Sequence, residues 1–272
     1  MPELSQLALN TATVRMQWNL RQAVEGCLRH GLKGITVWRE PIAEVGLAEA
    51  ARIVKGSGLD VIGLCRAGLF AADTPQKVLD DNKRAVDEAA AVGSRTLCII
   101  GGGLPGGSKD IKAAWGGVRD GLGALLPHAR AAGVELALEP LHPMYAADRA
   151  CINTLEHATD LCEELGDGIG VAIDVYHVWW DPHLEREIAR AGRLKRIVGF
   201  HICDWLVPTR DMLLDRGMMG DGVIDIRGIR EQVEAAGFRG FHEVEIFSAE
   251  NWWKRDPDEV VRTCIERHRR FC

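Results

Sequence analysis

Eight short apolar runs, separated by longer amphipathic stretches, constrain this sequence more than any other feature. They are Leu7–Leu9, Gly34–Trp38, Val61–Cys65, Thr96–Ile100, Glu135–Leu138, Gly170–Ile173, Ile197–Phe200 and Phe241–Ile246. Each is continuous rather than alternating, and most are rich in Val, Ile and Leu. Strands of a parallel sheet read this way, because they are buried on both faces.

Helical patterns fill the gaps. Leu20–His30 puts Ala23, Val24, Cys27 and Leu28 at helical spacing, and Val45–Ser57 turns Ala48, Ala51, Ile53 and Val54 inward. Pro75–Val92 opens with Thr74 as a cap and proline in the first turn. Asp110–Ala132, Asn153–Leu165, His183–Ala191, Ile226–Ala236 and Pro257–Arg270 complete the set. Six patterns end in glycine, at positions 31, 58, 93, 133, 166 and 237, where a left-handed turn releases the chain into the next strand. Eight β-then-α units without a break in composition predict an α/β fold, a (β/α)8 TIM barrel, with residues 1–272 as a single domain. A phosphate-binding glycine motif after the first strand would favour an open doubly wound sheet, and the sequence has none.

Charge narrows the function classes. With 33 basic and 39 acidic residues, the net charge of −6 offers no footprint for nucleic acid or an anionic membrane. No run of ~18 apolar residues spans a bilayer, and the first residues lack the pattern of a signal peptide. The 8 cysteines form no CxxC pair and most sit in apolar runs, so they read as buried thiols of a cytoplasmic protein.

Barrel enzymes carry their chemistry at the C-terminal ends of the strands. Glu139 follows the fifth run, Asp174 the sixth and His201 the seventh, while Glu245 lies within the eighth. Charges so close to an apolar core are costly unless paired or bound to metal. Four on successive strands point to one divalent cation. Two Glu, one Asp and one His form a mixed oxygen and nitrogen set that suits Mn²⁺, with Mg²⁺, Co²⁺ or Zn²⁺ as alternatives. Glu243 shares a face with Glu245 in strict alternation; Glu245 is preferred because it lies nearer the strand's C-terminal end.

Further polar residues line the same rim. His177, one turn past Asp174, and Arg216, in a glycine-bearing loop, are placed to hold substrate oxygens. Asp204 is a candidate acceptor behind His201. His142, Arg66, Asn10 and Trp38 are further candidates for substrate binding. Eight tryptophans against 2 tyrosines and 6 phenylalanines supply rings that stack on a sugar face, and Trp179, Trp180, Trp205, Trp252 and Trp253 all fall in βα loops.

With these motifs in view, the chain resembles the sugar phosphate isomerase/epimerase superfamily, the xylose isomerase-like barrels. That group includes ketose 3-epimerases, hydroxypyruvate isomerase, inosose dehydratase and endonuclease IV type enzymes. The motifs are LALEPL around Glu139, IDVYH with Asp174 and His177, FHICD with His201, MGDGVID, and GFHEVEIF with Glu245. The resemblance implies that Glu139 and Glu245 bind metal and exchange protons with substrate. It implies that Asp174 and His201 are ligands only, and that His177 and Arg216 hold a substrate oxygen. Those epimerases carry a second Glu six residues after the first, where this chain has Tyr145. The additional His and Asp ligands of the endonucleases are not found.

Proton abstraction beside a carbonyl gives an enediolate. Return of the proton to the other face epimerises, return to the next carbon isomerises, and loss of a β-leaving group eliminates. The leading expectation is a metal-dependent sugar isomerase or epimerase. The alternative is a metal-dependent lyase or dehydratase on a keto-sugar, keto-inositol or 3-keto-glycoside. A non-catalytic sugar-binding barrel and a metal-dependent hydrolase are weaker readings. The expected partner is a small sugar or polyol, with a homo-oligomer left open.

Overall fold

The computed structural model describes residues 2–71 and 75–272. Eight parallel strands close into a barrel: β1 (Leu7–Asn10), β2 (Gly34–Trp38), β3 (Asp60–Gly68), β4 (Thr96–Ile100), β5 (Glu135–Leu138), β6 (Ile169–Asp174), β7 (Ile197–Ile202) and β8 (His242–Val244). Each strand pairs with its sequence neighbours, and β1 closes the ring against β8 with Leu7 opposite His242. Closure removes the free sheet edge that an open sheet would expose. The chain therefore folds as a (β/α)8 TIM barrel.

The amphipathic stretches wrap this barrel. The larger helices are α1 (Leu20–Arg29), α2 (Arg39–Val45), α3 (Leu47–Lys55), α4 (Pro75–Val92), α5 (Ile111–Ala132) and α6 (Leu155–Leu165), followed by a single turn, α7 (Val175–Val178). α8 (Leu184–Arg193), α9 (Ile226–Ala235) and α10 (Pro257–Phe271) complete the layer. Side-chain caps set several starts: Asp110 accepts from Ala113 N, Thr154 from His157 N and Asp256 from Glu259 N. The expected cap Thr74 lies outside the described residues. All eight cysteines are free and buried.

Three local features depart from the sequence reading. The helix expected over Val45–Ser57 forms as Leu47–Lys55, and an unexpected helix, Arg39–Val45, precedes it and ends at Gly46 with φ +84°. Within Leu47–Lys55, Ile53 and Val54 face inward as expected, joined by Ala50, whereas Ala48 is exposed and Ala51 half-buried. On α1, Leu28 is also exposed rather than inward. The eighth strand stops at Val244, short of Ile246. There the Thr13 hydroxyl donates to Val244 O and accepts from Ile246 N, so a side chain takes over from the ladder.

Past β7 the chain makes an excursion that places a distant residue. Asp204–Trp205 pairs with Arg216–Gly217 as a short antiparallel ribbon. The ribbon returns Arg216 to the barrel mouth, fifteen positions after His201 in sequence.

Candidate metal centre

Glu139, Asp174, His201 and Glu245 converge. Each is buried, and their donor atoms lie within 4.8 Å of one another. The strands explain the meeting. Asp174 is opposite His201 in the β6–β7 register, and Glu243 is opposite His201 across β7–β8. Glu139 follows β5 with its N–H on Ile99 O, and Glu245 follows β8 with its N–H on Ile202 O. Four side chains from consecutive strand ends are thus held at one level of the lumen.

Direct contacts tie the cluster together. His201 Nδ1 lies 2.9 Å from Glu139 Oε1. Asp174 accepts from Tyr176 N through Oδ1, leaving Oδ2 to meet Arg216 Nη1 at 2.8 Å. The same Nη1 lies 3.1 Å from Glu245 Oε2. Arg216 is buried between the rings of Tyr176 and Phe247, at 4.4 and 5.2 Å from their centroids. Such a guanidinium offers permanent positive charge against the carboxylates.

The charges perturb one another as burial requires. Burial pushes the Glu245 carboxyl up to about 8; Arg216 opposes the rise and Glu139 reinforces it. Burial pulls His201 down, but Glu243, Glu139 and Glu245 outweigh it and raise the imidazole well above its ordinary value. Burial raises Asp174, yet Arg216 and the two imidazoles hold it below the usual carboxylate range. Three carboxylates, one imidazole and one guanidinium crowd into a space shielded from water. Hard oxygen donors with one imidazole fit a divalent cation such as Mn²⁺ or Zn²⁺.

His177 lies at the upper edge of the cluster. Its Nδ1 accepts from the His142 N–H at 3.2 Å, and its Nε2 lies 3.2 Å from Arg216 Nη2 and 3.7 Å from Asp174 Oδ2. Burial lowers its pKa to about 4, so the ring is neutral.

Four sequence candidates take other positions. Asn10, fully buried, donates to Glu243 and Glu245 rather than facing the mouth. Trp38 spends its indole N–H on Asn10 Oδ1 and packs edge-on against Phe247. Arg66 lines a separate cleft of about 330 Å³ with Arg39, Asp81 and Glu88, outside the cluster. Asp204 does not back His201. Its carboxylate gathers the N–H groups of Gly220, Gly222 and Ile224 and so shapes the loop that leads into α9. The His142 side chain sits half-buried at the mouth, stacked on Trp205 at 5.0 Å and edge-on to Trp180.

Two groupings were not anticipated. Tyr145 and Tyr176 both donate to Met212 O, at 2.6 and 3.0 Å, and clasp the long loop after β7 to the mouth. Cys65, Glu243 and Glu245 form a second set of close donor atoms. The two-residue spacing of Glu243 and Glu245 was a readable signal for the second grouping; nothing local announces the first. Below the donor level, small lumen residues such as Gly63, Ala137 and Gly199 border a cavity of about 400 Å³.

Comparison with known proteins places this architecture. The model of the xylose isomerase-like TIM barrel family matches residues 24–265. The chain belongs to that family. A crystal structure of protein SMc04130 from Sinorhizobium meliloti 1021 is 61% identical, with 99% of each chain covered and a TM-score of 0.98. The IolI protein, solved with a bound zinc atom, is 21% identical over 97% of this chain and 96% of its own, at a TM-score of 0.82. The 3-keto-D-glucoside 4-epimerase YcjR from E. coli is 18% identical over 97% and 99%, at 0.76. The last two likenesses show the shared fold. No curated protein sequence matches the chain.

Proposed function

We propose that this xylose isomerase-like barrel is a divalent-metal-dependent enzyme that moves a proton beside the carbonyl of a sugar or polyol-derived substrate. An epimerase or aldose–ketose isomerase is the leading form. The carrying observation is the convergence of Glu139, Asp174, His201 and Glu245, buried, with donor atoms within 4.8 Å. A bound divalent ion supplies Lewis-acid stabilisation of negative charge on a substrate oxygen. Asp174 and His201 hold the ion. Glu139 and Glu245 reach the same point from β5 and β8, different arcs of the barrel, and serve as proton acceptor and donor. Neutral His177 and Arg216 orient a substrate oxygen. Trp180, Trp205 and His142 give the mouth an aromatic wall for a sugar face.

The alternative is a lyase or dehydratase on a keto-sugar, keto-inositol or 3-keto-glycoside. One observation favours it: Tyr145, where the resembling epimerases carry glutamate, is fastened to Met212 O and brings no second carboxylate. IolI, which shares the fold, binds zinc, and YcjR, which also shares it, is an epimerase of a 3-keto-glucoside. The substrate is read as a small molecule rather than nucleic acid, given the net charge of −6. Among the described residues no helix is long and apolar enough to cross a membrane. Eight buried thiols accord with the cytoplasm.

Incubation of the Mn²⁺-loaded protein with a panel of ketoses and keto-polyols in D₂O, followed by NMR, tests the proposal. Deuterium entering the carbon next to the carbonyl is expected, with an epimer or isomer as product. A dehydrated product would move the assignment to the lyase. No exchange across the panel, with metal bound, would count against both.

A further inference from the structure

Asn10 has no part in the proton transfer proposed above, yet its side chain is closely constrained. Its Oδ1 accepts from Trp38 Nε1 at 2.7 Å and from Ala12 N at 2.9 Å. An indole nitrogen can only donate, so the amide cannot be turned end for end. Nδ2 is thereby forced to the opposite side, where it donates to Glu243 Oε1 at 2.6 Å and Glu245 Oε1 at 2.9 Å. The other oxygen of Glu243, Oε2, lies 3.6 Å from His201 Nε2. The far nitrogen of that ring, Nδ1, faces the donor cluster beside Glu139. A chain of contacts thus crosses β2, β1, β8 and β7 and reaches two of the four candidate ligands.

The same amide decides what the second cluster is. Cys65, Glu243 and Glu245 stand close enough to hold an ion. Asn10 Nδ2 contacts both carboxylates and lies 3.8 Å from Cys65 Sγ. Its two protons supply the positive edge that a second cation would otherwise bring.

We infer that Trp38 and Asn10 form a clamp that fixes Glu245 directly and His201 through Glu243, so that metal affinity depends on an indole N–H outside the donor set. The inference rests on the metal-dependent reading above. A ligating imidazole commonly donates its other N–H to a carboxylate, which sets the tautomer and the ring's orientation. Glu243 is the carboxylate facing His201 Nε2, at ion-pair distance, and Asn10 holds Glu243 by a hydrogen bond.

Equilibrium binding of Mn²⁺ to the apoprotein tests this, with the Co²⁺ absorption spectrum as the report on donor geometry. Trp38→Phe keeps an aromatic ring and removes the N–H with the five-membered half of the indole; it is expected to weaken Mn²⁺ binding about 10-fold or more and to shift the Co²⁺ bands. Glu243→Gln is expected to do the same, because one amide cannot accept from both Asn10 and His201. If that variant fails to fold, Trp38→Phe carries the test alone. Arg15→Leu removes the guanidinium 5.4 Å from the Trp38 ring centroid and spares the N–H, so it should bind like the wild type. Unchanged affinity and spectrum in Trp38→Phe would overturn the clamp and leave the metal reading standing. Equal losses in Arg15→Leu and Trp38→Phe would also overturn it, by assigning the effect to ring packing. A wild-type protein that binds neither ion would overturn both readings.

Discussion

The residues of the centre divide by what each can lose. On the proposed mechanism Glu139 and Glu245 move the proton, so Glu139→Gln and Glu245→Gln should each lower turnover by about 10²–10⁴-fold, the usual contribution of a positioned acid or base. Substrate affinity, measured by calorimetry, should change far less. Near-wild-type turnover in both variants would remove the assignment. Asp174→Asn should instead show its loss in bound metal, read by elemental analysis after dialysis, because Asp174 holds no place in the proton path. The convergence of the four side chains was legible beforehand, since each candidate ligand stands at or just past the C-terminal end of an apolar strand. The roles of Asn10 and Trp38 were not. A sequence shows that a polar residue ends a strand, but not whether its partner is a substrate or a buried carboxylate on a strand more than two hundred positions away.

Among the elements, the barrel strands were plain because burial on both faces leaves an unbroken apolar run. The breaks were less so. Gly46 divides two helices through one positive φ, and the short helix before it, Arg39–Val45, buries only Ile42 and so shows no apolar periodicity. The loop after β7 was also unreadable, because its anchor is a carbonyl: Met212 O receives both Tyr145 and Tyr176 hydroxyls. Replacing both tyrosines by phenylalanine should free this loop and speed its cleavage by protease without lowering apoprotein helicity by circular dichroism. An unchanged cleavage pattern would mean that the clasp does not hold it. At the opposite end, β8 and α10 meet through His242 Nδ1 and His268 Nε2, 2.9 Å apart. Burial lowers these imidazoles to about 4 and about 3, with Glu234 pulling His242 partly back. The folded state keeps both neutral while the unfolded chain takes up protons below about 6.5. The unfolded state therefore binds more protons between about 6.5 and 4, and stability falls as pH drops through that window. His268→Gln should flatten this acid dependence, seen as a shallower slope of Tm against pH. A slope unchanged from wild type would show that the pair is not responsible.

On the scale of the whole molecule, the barrel keeps a crowded set of like charges at one end of an otherwise apolar lumen. The folded chain must hold Glu139, Asp174, Glu243 and Glu245 close together, with His201 and Arg216 as their buried counter-charges. The unfolded chain separates them in water at no such cost. A divalent ion that binds the folded form alone stabilises it by about 2.7 kcal/mol at a hundredfold excess over its Kd. For a chain of this size each kcal/mol moves Tm by roughly 2–4 °C. Saturating Mn²⁺ should therefore raise Tm by about 5–10 °C in calorimetry, and EDTA should reverse the gain. The gain should grow as pH rises from 6 toward 8, because Glu245, raised to about 8, must release its proton before it can ligate. Asp174→Asn should lose most of the shift and Arg66→Ala none, since Arg66 lines a cleft outside the cluster. A shift equal in all three proteins would place the ion elsewhere on the barrel and detach the buried quartet from the chemistry assigned to it.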